Sequence, residues 1–549
     1  MTRLKIVISS LLLVAANFAP GQPALVPPPA TLHFAGASRL ADNPDFANLK
    51  TMLTLQSSLD FRSLALGRTS AWLARSFEWG AGAETSAQIR PLLDDLLSEE
   101  TYWAFGGSER GPLNFIAAIR SDDKRSLDWQ QHLRKVLHGD GESFKAQASS
   151  GESFSGERWK QPGGKTFWFM RVQNWILVGR GDELTPWRSE FLAELARHKV
   201  PDASSNTNCL EADLDWPRLM HWLPDAPLPF KPARTKITLS IGTNQLLTLK
   251  ASVHYPQPIP WKPEPWRVPT DLIRDPLVSF TTGQDIAAYM TPDGILSRLT
   301  DNPLTGQYYV WALNSQIGFQ SYAAWPVADS TNTLRRLADQ ATNAFNPDLE
   351  KLMAGKLQWR DDRNALVWSA LAPMIVPQLE VAPETNGQYL LASFFPLDTD
   401  AKPAPAALFR QFLGRTNLVY YDWEGTGPRL DQWRLLASAL PIFPRFVIQS
   451  DEVPAANKPA STPPAKSPIL IEENWLVGLK PMLFKNTITE ITRVAPDELS
   501  VIRKSPLGVT ALELVVFSHW LSGTGSTGLL PGLLPPRAKE TGIGVPPSP

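Results

Sequence analysis

The chain has very little cysteine and no excess of charge of either sign. Its 549 residues include one cysteine, Cys209, so no intramolecular disulfide can form, and no cysteine follows the N-terminal apolar run to carry a lipid. Lysine and arginine number 53 against 54 aspartates and glutamates, a formal net charge of -1. Nucleic acids attract basic surfaces, so the balanced charge argues against a nucleic-acid partner. It also gives no electrostatic reason for binding to an anionic membrane.

Long apolar runs are also missing from the body of the chain. The closest, residues 509–521, contains Glu513 and His519 and is shorter than a transmembrane helix requires. The sequence therefore predicts no transmembrane segment in the mature protein.

The N-terminus has the pattern of a secretory signal peptide. Arg3 and Lys5 precede an apolar run over residues 6–18, and small residues at 19 and 21 allow cleavage after Gly21. The sequence predicts export, with the choice between periplasm and exterior left open.

Motifs for catalysis and for cofactor or metal binding are lacking as well. Residues 163–166 resemble the end of a phosphate-binding loop, but Trp159 stands where its first glycine is required. Ser121 and Lys124 match a pattern of acylating enzymes without its companion motifs, and helix capping explains Ser121 better. The seven histidines form no pair at one-turn spacing. We therefore predict no cofactor, no metal site and no assignable catalytic residue.

What the sequence does contain is an internal similarity at an offset of about 207 residues. Three dipeptides recur at offsets of 208, 206 and 207: Trp103-Ala104 at Trp311-Ala312, Ala117-Ala118 at Ala323-Ala324, and Asp215-Trp216 at Asp422-Trp423. A register kept over more than a hundred residues is typical of a duplicated domain. The alternative is convergence of two strand-rich halves.

Alternating short strands and helices predict the fold class. In the first stretch strands are predicted at 102–105, 114–120, 166–172, 175–179, 209–213, 237–241 and 245–253, with helices beginning at Ser121 and spanning 182–198. The second stretch repeats this order, with strands at 308–313, 318–325, 356–360, 365–371, 389–395 and 417–423 and helices at 329–345, 404–413 and 428–440. We predict an α+β protein: two tandem copies of an antiparallel sheet with helices packed on one face, joined by a Pro-rich strap.

Composition sets the predicted domain boundaries. They are a signal peptide 1–21, a Pro-rich leader 22–40, a helical region 41–99, a first α+β repeat 100–255, a linker and helix 256–307, a second α+β repeat 308–521 with a Pro-rich insertion 453–468, and a disordered tail 522–549. The strap itself is the segment 255–269.

Tryptophan is the most suggestive excess, with 20 in the chain. Exposed indoles on an exported protein can stack on sugar rings. Six of the tryptophans fall within predicted strands or on apolar helix faces and are expected to be buried: Trp103, Trp168, Trp187, Trp311, Trp368 and Trp433. Trp159, Trp261 and Trp266, on or next to loops, are the candidates for exposed ligand contacts.

Asp213 and Asp215 are the other candidate site residues. Two residues apart at the end of a predicted strand, their carboxylates lie on one side and could bind a hard cation or serve in acid/base chemistry. The second stretch has Tyr420 in place of Asp213 and keeps only Asp422. Because the shared aspartate precedes a helix that opens with proline, a helix-capping role is favoured.

Three segments carry a resemblance. Residues 210–219, 307–325 and 507–521 are similar to those of uncharacterised signal-peptide-bearing bacterial proteins, a family of unknown function. The resemblance implies alternating strand pairs and helices and implies no activity.

The sequence favours an exported, non-catalytic binding or assembly protein of the bacterial envelope, whose partner is an envelope protein, a glycan or a lipid. Two alternatives stay open: an envelope hydrolase or carbohydrate-processing enzyme with a site assembled from distant residues, and a carrier of lipid or another apolar ligand.

Overall fold

The structure, a computed structural model, describes residues 27–522 except for 78, 80–82, 108–112, 161–165, 182–183, 198–207, 221–231, 243, 260–262, 285–305, 315–319, 352–354, 370–375, 385–386, 396, 398–400 and 440–467. The predicted signal peptide, most of the Pro-rich insertion, nearly all of the tail and Trp261 lie outside the described residues.

The elements up to the middle of the chain alternate as follows: β1 (Ala30–Phe34), α1 (Ala37–Ala41), α2 (Ala47–Thr54), α3 (Gln56–Ser76), α4 (Ala83–Ser98), β2 (Thr101–Gly106), β3 (Asn114–Arg120), α5 (Asp123–Val136), β4 (Glu142–Gln147), β5 (Ser153–Lys160), β6 (Thr166–Val172), β7 (Trp175–Arg180), α6 (Thr185–Arg197), β8 (Asn208–Asp215), α7 (Trp216–Leu219), β9 (Arg234–Ile241) and β10 (Leu247–His254).

The remaining elements are β11 (Leu277–Gly283), β12 (Tyr308–Leu313), β13 (Ser321–Val327), α8 (Ser330–Lys351), β14 (Lys356–Arg360), β15 (Ala365–Ser369), β16 (Gln378–Glu384), β17 (Gly387–Ser393), α9 (Ala406–Phe409), β18 (Leu418–Gly425), α10 (Thr426–Ala439), α11 (Pro468–Leu479), β19 (Asn486–Ala495), β20 (Glu498–Ser505) and α12 (Ala511–Ser522). The predicted mixture of helices with antiparallel strands is confirmed. Among the helices that the structure describes, none has the length and apolar character needed to cross a membrane.

The chain forms two compact units, one of Met1–His33 with Thr101–Asp202 and the other of Phe34–Glu100 with Ala203–Pro549. In the first unit, antiparallel ladders join β2 to β3, β3 to β7, β7 to β6, β6 to β5 and β5 to β4. The hairpin between β6 and β7 turns at Gln173 and Asn174, the two residues left between the predicted strands 166–172 and 175–179, and Gln173 takes a φ of 53°. The core of this unit packs strand residues such as Trp168, Met170 and Leu177 against Phe191 and Leu192 of α6.

In the second unit, one continuous antiparallel sheet runs in the order β8, β9, β10, β20, β19, β18, β11, β12, β13, β17, β16, β15, β14. Side chains alternate between its two faces. One face carries an aromatic core that includes Phe280, Tyr309, Trp311 and Tyr421. Helix α10 packs against β11 and β18 on the other face.

A helical layer completes the second unit. Leu430 of α10, Leu476 of α11 and Leu514 of α12 meet in a single apolar cluster. Glu472 of α11, almost fully buried, ties that helix to α12. It accepts hydrogen bonds from Ser518 Oγ at 2.8 Å and Ser522 Oγ at 2.5 Å, and His519 Nδ1 lies 2.7 Å from its Oε1 atom.

The element order of residues 101–254 recurs over residues 308–505, with α11 as an additional helix. Ladders recur too: β2–β3, β3–β7 and β8–β9 correspond to β12–β13, β13–β17 and β18–β19. The recurrence includes strand pairs that the sequence did not predict.

Several elements were missed or misplaced by sequence reasoning. Strands β4, β5 and β16, strand β1 within the predicted leader, and strand β11 within the predicted linker and helix were all missed. The predicted helix 404–413 is a single turn over Ala406–Phe409. Ser121 does not cap α5; the cap is Asp122, whose side chain accepts a hydrogen bond from the Arg125 amide at 2.7 Å.

Candidate functional site

Of the three tryptophans predicted to be exposed, the two that the structure describes, Trp159 and Trp266, are buried. On β5, Trp159 donates its indole N–H to the Gly139 carbonyl at 2.8 Å. Trp266 packs against Tyr309 and Phe412 in the aromatic core, with its indole N–H 3.3 Å from the Arg415 carbonyl. The prediction of exposure was wrong for both, because each indole finds a backbone acceptor that allows burial.

The backbone around Trp266 explains why a Pro-rich segment lies inside the fold. Gln284 pairs with both the N–H and the carbonyl of Glu264, at 3.1 and 3.0 Å. Gln307 accepts a hydrogen bond from the Arg267 amide at 2.8 Å and donates to the Pro265 carbonyl at 2.7 Å. These two buried amides supply the hydrogen bonds that a neighbouring strand would otherwise provide.

The two aspartates predicted as site residues have local partners. Asp213 forms a bidentate ion pair with Arg234, both N–O distances being 2.6 Å. This pairing raises the pKa of Arg234 above its ordinary value. Asp215 is the N-cap of α7 and accepts a hydrogen bond from the Arg218 amide at 3.3 Å, which is the predicted capping geometry.

Asp422, by contrast, is not a helix cap. It lies within β18, three residues before the strand ends, and is only 8% exposed. Its Oδ1 atom accepts a hydrogen bond from Thr281 Oγ1 at 2.6 Å. The sequence match of Asp422 to Asp215 was therefore out of register.

Glu424 lies two residues further along and faces the same side of β18. It is 5% exposed, and its Oε1 atom accepts a hydrogen bond from the amide of Ala511, the first residue of α12, at 2.7 Å. Asp422 and Glu424 are named here the buried acid pair. Two carboxyl groups on one face of a central strand require compensation from their surroundings.

Asp422 belongs to a row of polar side chains that crosses four neighbouring strands. Thr281 of β11 lies opposite Asp422, Asp422 opposite Thr489 of β19, and Thr489 opposite Arg503 of β20. Arg503 donates from Nε to Thr489 Oγ1 at 2.9 Å and forms a bidentate ion pair with Glu513 of α12, at 2.7 and 3.0 Å.

Helix α12 begins at this row with a capping box. The Thr510 amide donates to Glu513 Oε2 at 2.9 Å, and the Glu513 amide donates to Thr510 Oγ1 at 3.2 Å. With Glu424 on the Ala511 amide, three backbone donors of the first turn are satisfied by side chains. The N-terminus of α12 is thus attached to the sheet through Glu424 and Arg503.

Arg429 of α10 covers the buried acid pair from the helical side. It is almost fully buried, donates to Gln432 Oε1 at 2.6 Å, and lies 4.5 Å from the ring centroid of Trp433. Gln432 in turn donates to the Leu313 carbonyl at 2.7 Å. The guanidinium is therefore held in place by contacts that do not depend on the carboxylates.

Burial dominates the electrostatics of the site. Desolvation, followed by the charge of Asp422, raises the pKa of Glu424 to about 8. Desolvation also raises the pKa of Asp422, against the opposing effects of the Thr281 hydrogen bond and the two arginines. The pKa of Arg429 is lowered to about 10 by the same desolvation. A carboxyl group that holds a proton near neutral pH is therefore part of the site.

Two tyrosines extend the same face. Tyr308 of β12 and Tyr420 of β18 have pKa values raised above the ordinary range, first by burial and then by the charge of Asp422. Both remain neutral phenols over the pH range in which the buried acid pair titrates.

The corresponding positions in the first stretch are apolar. Strands β8 and β18 each carry an irregularity near their start, between Asn208 and Leu210 and between Leu418 and Tyr420, and each is followed directly by a helix. When β8 and β18 are aligned on these two features, the offset is 210 residues. Asp422 then corresponds to Ala212, and Glu424 corresponds to Leu214. The ionisable residues at these two positions therefore belong to the second stretch alone.

A second candidate surface is the outer side of α12. Phe517 and Trp520 are 49% and 67% exposed, and their ring centroids lie 6.2 Å apart. We call these two residues the exposed aromatic pair. The opposite side of the same helix packs into the apolar cluster through Leu514 and Val515, so α12 is apolar on both sides.

Within the part of the chain that the structure describes, no group of three or more His, Cys, Asp or Glu side chains is arranged to hold a metal ion. No protein family, no curated protein and no solved structure is detectably similar to the chain. The site residues that sequence reasoning missed are Glu424, Arg429 and Arg503. The available signal was the alternation of Tyr420, Asp422 and Glu424 along the predicted strand 417–423 and just beyond its end.

Proposed function

We propose that the protein is an exported, non-catalytic binding or assembly protein of the bacterial envelope. The observation that supports this proposal is the exposed aromatic pair on α12, a helix whose inner side is already committed to the core. Large adjacent apolar side chains in solvent mark interaction surfaces more often than isolated ones do. The partner is an envelope protein, a glycan or a lipid.

The test compares envelope material retained by three forms of the mature chain. These are the wild type, the double variant Phe517→Ser/Trp520→Ser, and the control Leu127→Ser, which removes an isolated exposed apolar side chain from α5. We expect the double variant to retain at least about tenfold less of a specific partner than the wild type does. Removing two aromatic side chains from an interface costs about 2 kcal/mol or more of binding free energy. The control keeps the partner. Recovery of the protein alone, together with turnover of generic esters or glycosides, would contradict the proposal.

Export through a cleaved signal peptide is part of the same proposal and rests on the basic residues and apolar run at the N-terminus. N-terminal sequencing of the protein purified from its native cells is expected to give a chain beginning near Gln22. A chain beginning at Met1 in the cytoplasmic fraction would contradict export.

We further propose that residues 101–254 and 308–505 are tandem copies joined by the Pro-rich strap. The strongest support is reciprocity in the β10–β20 ladder. Strands β9 and β19 begin 252 residues apart, and at that offset Lys250 lies opposite its own counterpart, Ile502. Leu249 lies opposite Arg503, the counterpart of Ala251, and Ala251 lies opposite Val501, the counterpart of Leu249.

A strand that pairs with its own copy in this way is typical of an isologous interface, in which one surface contacts an equivalent surface about a two-fold axis. An experimental structure is expected to show the two stretches superposing strand on strand with the same connections. Different connections within the two stretches would contradict the proposal.

The buried acid pair favours a second candidate, a hydrolase or carbohydrate-processing enzyme. One carboxyl group with a raised pKa beside another is the arrangement that general acid/base catalysis uses. Under this candidate, activity on an ester or glycoside panel is expected and is lost in Asp422→Asn. Activity that survives this substitution would exclude the buried acid pair as its source.

A further inference from the structure

We infer that the buried acid pair is a proton-binding site that couples the attachment of α12 to pH. The occupant is one proton, held by Glu424 beside the charge of Asp422. Its loss leaves an uncompensated buried charge beside the first turn of α12, and release of that turn into water relieves the cost of burying this charge. This inference goes beyond the proposed binding function, because it assigns a regulated element and does not depend on which partner is bound.

The geometry makes Glu424 the link between strand and helix. Its carboxyl group bonds to the Ala511 amide at 2.7 Å, and the second attachment of the same turn is the ion pair between Arg503 and Glu513. Leu514, one turn further along, is buried in the apolar cluster with Leu430 of α10. The first turn of α12 cannot leave the sheet without breaking these contacts.

The count of charges explains why one proton is held. The groups that face Glu424 are Asp422 on its own strand, Arg429 on α10, Glu513 on α12 and, through Asp422, Arg503 on β20. When Glu424 and these four groups are all ionised, the site holds three negative charges and two positive ones. One proton on the buried acid pair restores neutrality, and in a region of low dielectric an uncompensated charge is costly.

The phenols of Tyr308 and Tyr420 lie on the same face and stay neutral while Glu424 titrates, because burial raises both of their pKa values above the ordinary value of a tyrosine. The first stretch, with Ala212 and Leu214 at the corresponding positions, has no such proton site on β8. The coupling is therefore specific to the strand that contacts α12.

The direction of the effect follows from linkage. The pKa of Glu424 is raised to about 8, first by burial and then by the charge of Asp422, while the hydrogen bond from the Ala511 amide opposes that rise. When release of α12 admits water to Glu424, the relief of burial outweighs the loss of this hydrogen bond, and the pKa falls toward the ordinary value of about 4.5. A carboxyl group with a raised pKa in the closed state stabilises that state at low pH, and the stabilisation is lost as pH rises through the folded value. Release of α12 therefore becomes more frequent between about pH 4.5 and about pH 8.

Hydrogen exchange of the mature full chain, read by mass spectrometry on peptides from residues 511–522, measures this opening. After correction for intrinsic exchange, the protection of α12 is expected to fall by up to about tenfold per pH unit over that window. In Glu424→Gln the slope is expected to disappear, because the amide keeps the acceptor for Ala511 and carries no charge.

The control variant is Glu380→Gln, which neutralises another carboxyl group whose pKa burial raises, on β16. It is expected to keep the wild-type profile of α12. Asp422→Asn gives an independent reading: without the neighbouring charge the pKa of Glu424 falls, so the midpoint of the profile moves to lower pH even if Glu424→Gln does not fold. A wild-type profile without slope, a slope that survives in Glu424→Gln, or an unmoved midpoint in Asp422→Asn would overturn the inference.

Discussion

Replacing Thr281 by valine tests the electrostatics of the buried acid pair with a change of almost no volume. Thr281 Oγ1 donates to Asp422 Oδ1 at 2.6 Å, and Asp422 is 8% exposed. A hydrogen bond to a buried carboxylate contributes about 1.5–3 kcal/mol, whereas one to a neutral group contributes about 1 kcal/mol. We therefore expect Thr281→Val to lower the free energy of unfolding by about 2 kcal/mol at pH 8.

The same substitution has a predicted pH dependence. The Thr281 hydrogen bond lowers the pKa of Asp422, opposing burial, so its removal raises that pKa further. A carboxyl pKa raised in the folded state costs stability as pH increases. The loss in Thr281→Val is therefore larger at pH 8 than at pH 5, where the carboxyl group is more fully protonated in both proteins.

Urea unfolding followed by circular dichroism at both pH values measures the difference. The matched control is Thr282→Val, the next residue on the opposite face, whose hydroxyl donates to the Tyr308 carbonyl at 2.8 Å. It is expected to cost about 1 kcal/mol at either pH. Equal losses for the two variants, or a loss in Thr281→Val that does not change with pH, would refute the reasoning.

Three further predictions concern other parts of the second unit. Glu472→Leu removes the buried acceptor between α11 and α12 and is expected to lower the free energy of unfolding in urea by about 2–4 kcal/mol. Its neighbour Glu473→Gln is expected to lower it by under about 0.5 kcal/mol, and equal losses would contradict the role of the buried acceptor. Trp266→Ala is expected to cost about 3–5 kcal/mol because it empties a buried site, whereas Trp72→Ala, an exposed side chain, costs under about 1 kcal/mol by the same measurement. The Cys209 thiol, whose pKa burial raises to about 11, is expected to react with a thiol reagent at pH 8 only after urea is added, and rapid reaction of the native protein would show that it is accessible.

The parts of the fold that sequence reasoning predicted are those with strong local signals. The hairpin at Gln173 and Asn174 combines apolar, branched strands with turn residues, and it was predicted nearly to the residue. Strand β4 was missed because most of its residues are exposed and polar, and β16 because it contains Pro383. Such strands are specified by the neighbours they pair with, and a single sequence does not show those neighbours.

The candidate site was less predictable for a related reason. The Asp-Trp dipeptide drew attention to Asp422 but aligned it three residues out of register, because a repeated dipeptide can fall on different faces of equivalent strands. Arg429 and Arg503 reach the site from α10 and β20, which lie on opposite sides of α11 in the sequence. Their convergence is a property of the sheet order, which the sequence pattern does not encode.

The ladder between β10 and β20 also has a consequence for biosynthesis. One side of β10 pairs with β9, but its other side stays open until β20 has been made, about 240 residues later. At roughly 5–20 residues per second, the ribosome needs on the order of tens of seconds to supply that partner. A β9–β10 hairpin that forms before this partner is supplied carries an unprotected strand edge of eight residues. We expect a chaperone to cover it, because an open edge recruits other chains.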